Sequence, residues 1–310
     1  MVRCEMRKMI TIPSIALFLA LFSCALDVHA CNDWTARDEA YWKRMYSEPR
    51  QFLFPLEPIS LSASAGLSRS FNEHGIKALA RGDYDGAERN FSEAIRISPD
   101  SAPLHHNLAL VFYMKPDLDR AAGAWKRAVI LEPGNPRYLY HLAFALSSGG
   151  RVEEAIPLYQ DLLRKMKGEP EIYNSLGQLF EFKGDVLRAE KNFRRAVTLR
   201  PDYLPALNNL GRLYRKSGRA KDAEHVFKKV AKLRPEDAEN YLNLGALYSD
   251  MGKGFLAAKY YRKAIRLRPD YPELHLLLSG VYREMGRRQE ARQEELLAYT
   301  VTCQLRPHME

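Results

Sequence analysis

The chain has 310 residues, 46% hydrophobic and 27% charged, which is enough apolar material for a sizeable core and too much charge for a low-charge membrane bundle. Its 18 Gly and 17 Pro are too few for a collagenous or low-complexity chain. The 47 basic against 38 acidic residues give a net charge of +9, which favours acidic partners or anionic surfaces without choosing among them.

Residues 1–30 open with Arg3, Arg7 and Lys8, run uncharged from Ile10 to Leu26, and end on Asp27-Val28-His29-Ala30. A basic start, an apolar stretch and small residues before a cut are the layout of a secretory signal peptide, with cleavage after Ala30. The apolar stretch contains Pro13 and is shorter than the roughly 20 residues a spanning helix needs, although a retained anchor is the alternative. Leu21-Phe22-Ser23-Cys24 and Val28-His29-Ala30-Cys31 both resemble a lipobox, so Cys24 and Cys31 are candidate lipidation sites, against ordinary cleavage after Ala30. Cys4, Cys24, Cys31 and Cys303 include no CxxC pair and no zinc spacing. A bridge between Cys31 and Cys303 would join opposite ends of an extended array, and disulfide geometry needs Cα atoms within about 7 Å.

Residues 31–67 carry Trp34, Tyr41, Trp42 and Tyr46 at spacing compatible with a short amphipathic helix that Pro49 ends. Ser62, Ser64 and Gly66 mark a flexible join. One reading is a helical cap on the array that follows. The other is a segment lying in a groove or swapped into a neighbouring copy.

From residue 68 to 305 the chain repeats itself every 34 residues. One column reads Ala87, Ala121, Ala155, Ala189, Ala223, Ala257, Ala291. A second is small throughout: Gly75, Ala109, Ala143, Gly177, Gly211, Gly245, Ser279. A third is aromatic: Phe91, Trp125, Tyr159, Phe193, Phe227, Tyr261. Leu108 to Leu278 fill another, with His74 the exception. Gly82 to Gly286 recur, with Pro116 as substitute, and Pro99, Pro133, Pro201, Pro235 and Pro269 end five units. Apolar residues fall at helical spacing in two stretches per unit, for example 204–216 and 221–233. Glycine between the stretches permits the left-handed closure of the first helix, and proline stops the second.

These columns resemble the tetratricopeptide repeat in seven tandem units: 68–101, 102–135, 136–169, 170–203, 204–237, 238–271 and 272–305. The resemblance implies an all-α solenoid of helix-turn-helix units wound as a right-handed superhelix, with a tail at 306–310. Two units depart from the pattern. The third has Leu162 for Ala and Lys167 for Pro, so its second helix is expected to run on towards Gly168 and Pro170. The seventh places Glu295 in the aromatic column and Cys303 in the proline column; its polar stretch 287–302 reads as a terminal cap.

In this family the first helices line a concave groove that takes peptides. The positions carried over are Asn107, Tyr140, His141, Phe144, Asn174, Gln178, Asn208, Asn209, Arg212, Arg215 and Asn243. Asn107, Asn209 and Asn243 share one column with His141 and Ser175 between them; an amide is donor and acceptor at once and can grip a peptide backbone. Tyr113, Tyr140 and Phe144 would make the early groove aromatic, a place for anchor side chains or for the chain's own N-terminal segment. Arg212, Arg215 and Lys216 would make the later groove basic.

No phosphate-binding glycine loop, HExxH or GxSxG occurs, and His105, His106 and His141 make a poor metal set because adjacent helical residues diverge. The sequence therefore predicts no enzyme, no cofactor and no metal. It predicts a scaffold for protein or peptide partners, in which self-association is open and no nucleic acid is expected. The leader adds an exported, periplasmic or outer-membrane-associated location, with membrane association through a lipidated cysteine or retained leader. The alternative function is attachment to an anionic polymer or lipid through the basic pairs Lys126-Arg127, Arg194-Arg195, Lys228-Lys229 and Arg262-Lys263 on the outer, convex face. A lumenal co-chaperone of a secretory pathway is a third reading.

Overall fold

Seven consecutive helix pairs make up the described residues. The computed structural model describes residues 65–305 apart from Lys167; the leader, Cys24, Cys31, nearly all of the 31–67 segment and the 306–310 tail lie outside the described residues. The first helices are α1 (Ala65–Ala80), α3 (Ala102–Met114), α5 (Pro136–Ser148), α7 (Pro170–Phe182), α9 (Leu204–Lys216), α11 (Ala238–Asp250) and α13 (Pro272–Glu284). The second helices are α2 (Tyr84–Ile97), α4 (Leu118–Leu131), α6 (Val152–Lys165), α8 (Val186–Leu199), α10 (Ala220–Leu233), α12 (Gly254–Leu267) and α14 (Arg288–Leu305). No strand occurs among the described residues. From α2 through α14, equivalent helices begin 34 residues apart without exception.

Each column has a packing reason. The alanine column is buried in all seven units, and the aromatic column is buried in all six units that have it. The aromatic ring of the second helix lies on the small residue of the first. A Cβ added at Gly177 would come within 2.5 Å of the Phe193 ring, and one at Gly75 or Gly245 within 2.6 Å of Phe91 or Tyr261. Real Cβ atoms do not approach that closely, so glycine there sets how tightly the two helices meet. The turn between them is closed by a six-residue loop bond. Asp185 N–H donates to Phe180 C=O at 2.8 Å, and the same bond recurs from Asp83 to Arg287 in every unit. It needs a left-handed residue just before the donor. Gly184 supplies it with φ +75, and the five other glycines of that column lie between +67 and +75.

Helix ends follow the local chemistry. Asp83, Asp117 and Asp185 cap α2, α4 and α8, each accepting from a backbone N–H three residues on. Arg151, Arg219 and Arg287 hold that place in other units and bond the acid three residues on instead. Proline falls in the first turn of α3, α5, α7, α9 and α13, where its missing N–H has no helical partner to lose.

Three expectations are corrected. α6 does not run on; it ends at Lys165 in register with its equivalents. Met166 is extended, Gly168 has φ +92 and Pro170 begins α7, so glycine and proline supply the stop that Lys167 lacks. Leu162 is fully buried at the position that Ala128 and Ala196 hold in the neighbouring units and fills its space without moving the frame. α1 starts at Ala65, so Gly66 sits in a helix rather than in a flexible join. α14 is longer than the expected cap and less polar, since Leu296 is 61% and Tyr299 57% exposed. Glu295 replaces the missing ring by bonding Ser279 Oγ at 2.9 Å and pairing with Arg283.

Candidate functional site

The first helices carry the candidate binding positions, and their mutual geometry follows one rule. A residue on one first helix meets the residue 35 positions later on the next, one step beyond its own equivalent. Asn107 Nδ2 donates to Asn72 Oδ1 at 2.9 Å, and Asn209 Nδ2 donates to Asn174 Oδ1 at 2.8 Å. His106 and His141 stack with centroids 5.1 Å apart. Lys216 pairs with Glu181 at 2.7 Å and Arg215 with Asp250 at 3.1 Å. The amides of Asn107, Asn209 and Asn243 therefore do not form rungs along their own column. They are bonded, or left open, diagonally.

The diagonal contacts decide what each position can offer. Asn107 and His141, expected on the open face, are fully buried between units, and Asn174, Asn209 and Asn243 are nearly so. Asn174 continues its bridge by donating to Gln178 Oε1 at 3.4 Å, and Arg212 Nη2 donates to Asn209 Oδ1 at 2.5 Å. The later face is less basic than expected, because the carboxylates Asp250 and Glu181 neutralise Arg215 and Lys216. Arg212 has no ion pair among the described residues and is exposed, so it is the guanidinium available to a ligand carboxylate.

One diagonal amide pair differs from the others. Asn208 and Asn243 stand in the relation of Asn174 and Asn209, yet no hydrogen bond joins them. Asn208 Oδ1 and Asn243 Nδ2 are shielded from solvent with no partner among the described residues. The neighbouring first helices that approach most closely are α1 with α3 and α7 with α9, which are the pairs that carry closed amide bridges. Between α9 and α11 an acceptor and a donor stay open. Unpaired shielded amide atoms carry a penalty of about 1–3 kcal/mol each until something completes them.

The early face is built from rings. Tyr113 meets Phe144 edge-on at 5.7 Å and Trp125 at 6.2 Å, and Tyr140 stacks on Phe144 at 6.5 Å. Tyr140 also meets Tyr159 at 5.9 Å. Tyr113, Tyr140 and Phe144 are half-buried, so they are the outer edge of an aromatic cluster rooted in the core. Trp125 Nε1 donates to His106 Nδ1 at 3.0 Å, which gives His106 a structural task. His105 bonds the Pro99 carbonyl at 2.8 Å, and burial lowers its pKa, favouring the neutral ring. Among the described residues, no group of three or more His, Cys, Asp or Glu could hold a metal.

The helix pairs, the ring-on-glycine packing and the glycine-closed turns are matched by known proteins. Residues 139–299 match the model of the cilia and flagella-associated protein 70 middle TPR-like domain, and residues 78–115 match the TPR repeat model. The chain belongs to the tetratricopeptide-repeat family. Among solved structures, it is similar to a tetratricopeptide repeat protein from Parabacteroides merdae, with TM-score 0.64 and 20% identity over 76% of this chain and 93% of that one. It is also similar to Pseudomonas aeruginosa pilF, with TM-score 0.55 and 21% identity over 67% and 95% of the two chains. At that identity the likeness concerns the fold. A Saccharomyces cerevisiae small glutamine-rich tetratricopeptide repeat-containing protein 2 is 32% identical over 89 residues, 29% of this chain. The match spans about a quarter of the length of that relative.

The tetratricopeptide-repeat fold makes this a protein-interaction scaffold, and no enzyme appears among the relatives named above. Within that fold, the residues missed by the column reading are Asn72, Glu181 and Asp250. Each lies 35 positions from a residue that was singled out, so a search for complementary residues at that offset would have found them.

Proposed function

We propose that the chain is a non-catalytic adaptor that holds an extended segment of a partner polypeptide along its first helices, with the strongest grip between α9 and α11. The open amide pair of Asn208 and Asn243 carries this reading: Asn208 is only partly buried, and a turn of the two amides presents the open acceptor and donor to a segment on the first helices. A peptide unit presents one donor and one acceptor, which is the complement of one open acceptor and one open donor. Arg212, one turn from Asn208, adds a charge-assisted bond for a carboxylate on the same segment. The half-buried rings Tyr113, Tyr140 and Phe144 supply apolar anchor positions further along.

The leader-like residues 1–30 support an exported location, so we place the adaptor in the cell envelope, serving assembly or maintenance there. Mass spectrometry of the mature N-terminus checks this part: processing before Cys31 or a lipidated Cys24 or Cys31 is expected, and an unprocessed, unmodified start removes the location. The groove reading is checked with a peptide array followed by calorimetry on the peptides that bind. Asn243→Ala and Arg212→Glu are each expected to weaken those peptides about tenfold or more while the protein stays folded. Unchanged affinity in both variants sinks the reading.

A further inference from the structure

The outward faces of α8, α10 and α12 hold a cationic field that the peptide-binding reading does not use. On α8 the outer stripe runs Leu187, Lys191, Arg194 and Thr198, all exposed. On α10 the same columns hold Lys221, His225, Lys228 and Lys232, also exposed. On α12 they hold Phe255, Lys259, Arg262 and Arg266. No carboxylate occurs in the three stripes. Glu190 and Glu224, beside them, pair with Arg194 and Lys228. The remaining cations, Lys191, Lys221, Lys232, Lys259, Arg262 and Arg266, have no ion pair among the described residues.

The repeat does not require this. The same columns in α6 hold Glu153, Pro157, Gln160 and Arg164, and in α14 they hold Gln289, Gln293, Leu296 and Thr300. An ordinary solvated helix face mixes both signs, as α2 and α6 do. Apolar side chains stand at one end of the field. Leu187 is 81% exposed and Phe255 78%, each at the start of its helix, and Phe182, 71% exposed, ends α7 beside Glu153 and Glu154 of α6. Isolated exposed apolar residues are commonplace, but here Leu187 and Phe255 occupy the same position at the starts of α8 and α12, with Lys221 in that place on α10 between them.

We propose that this face docks on an anionic lipid bilayer, with the six unpaired cations at the headgroups and Phe255 and Leu187 at the headgroup–acyl boundary. A bilayer interface rewards both features at once, cations through its negative surface potential and apolar side chains through burial. A soluble polyanion rewards the charges and leaves Leu187 and Phe255 in water. The surface is separate from the first-helix face, so the proposal stands independently of the peptide reading.

The test is flotation of the full chain with vesicles of phosphatidylcholine alone and of an equal mixture of phosphatidylcholine and phosphatidylglycerol. Because residues 10–26 are uncharged and mostly apolar, the decisive comparison is between the chain and its own surface variants. Partition onto the anionic vesicles alone is expected, falling steeply as salt rises. Each lost cation should lower the partition coefficient about fivefold, so Lys259→Glu/Arg262→Glu/Arg266→Glu should lower it about a hundredfold or more. Leu187→Ala/Phe255→Ala should weaken partition several-fold and leave its salt dependence in place. These residues are exposed, so both variants should keep the parent's helical circular dichroism. Equal partition onto neutral vesicles, no loss in the triple variant, or binding to soluble heparin without partition onto vesicles would each overturn the proposal.

Discussion

The second and third units and the fourth to sixth share the buried alanine, small and aromatic columns and differ in what they place on the first helices. In α3 and α5 the interior is closed by rings, with His106 stacked on His141 and Tyr140 on Phe144. In α7, α9 and α11 the same positions hold the amides Asn174, Gln178, Asn208, Asn209 and Asn243 and one guanidinium, Arg212, with one amide bridge closed and the next open. The difference teaches that the repeat fixes the helices and leaves their faces independent. Aromatic packing at the front stabilises by burial whatever binds. Amide pairing at the back stabilises only where donor and acceptor meet, so it can be left incomplete for a ligand.

The comparison breaks most visibly if the shared columns are not equally load-carrying in both halves. Phe193→Ala removes a fully buried ring from its seat on Gly177 and should cost about 3–5 kcal/mol, read by urea unfolding. A loss below about 1 kcal/mol would mean that the fourth unit is not held by this column. Next in size is the contrast between two asparagines. Asn174→Ala strips Asn209 of its partner and should cost about 1–3 kcal/mol. Asn243→Ala removes an amide that bonds nothing among the described residues, so stability should stay level or rise. Equal losses in the two variants would show that the Asn208–Asn243 pair is closed in solution.

The smallest expected effect belongs to the front. Burial pushes the Tyr159 phenol up to about 12. A folded pKa above the unfolded value of about 10 makes stability complete below pH 10 and progressively lost as pH rises towards 12. The loss attributable to this group is on the order of 1 kcal/mol at pH 11. Tyr159→Phe should flatten the alkaline decline of stability by that amount in a series of denaturation curves, while Phe193, its equivalent in the next unit, has no proton to lose. An unchanged decline would mean that the phenol reaches water.

Most of the fold was legible because its determinants are local in the repeat. Ala189, Phe193, Gly177 and Gly184 each occupy a column whose residue type admits few physical explanations. The candidate site was less legible, for a geometric reason. Contacts between first helices run at an offset of 35, and alignment at 34 places Asn107 beside Asn209 while hiding Asn72. The offset arises from how one unit stacks on the next, which column identity does not encode. The neutralisation of Arg215 by Asp250 was hidden for the same reason. The end of α6 was misjudged because the missing proline drew more weight than Gly168 and Pro170 just beyond it.

The constant spacing of helix starts makes length a separable property of this molecule. Deleting residues 204–237 would bring α11 directly after α8 with every alanine, ring and closing glycine still in register, so a shortened protein is a whole protein. It would also erase the α7–α9 and α9–α11 junctions, with their closed and open amide pairs, while sparing the other seams, which turns one excision into an assay of whether recognition resides in this part of the stack or is spread along it.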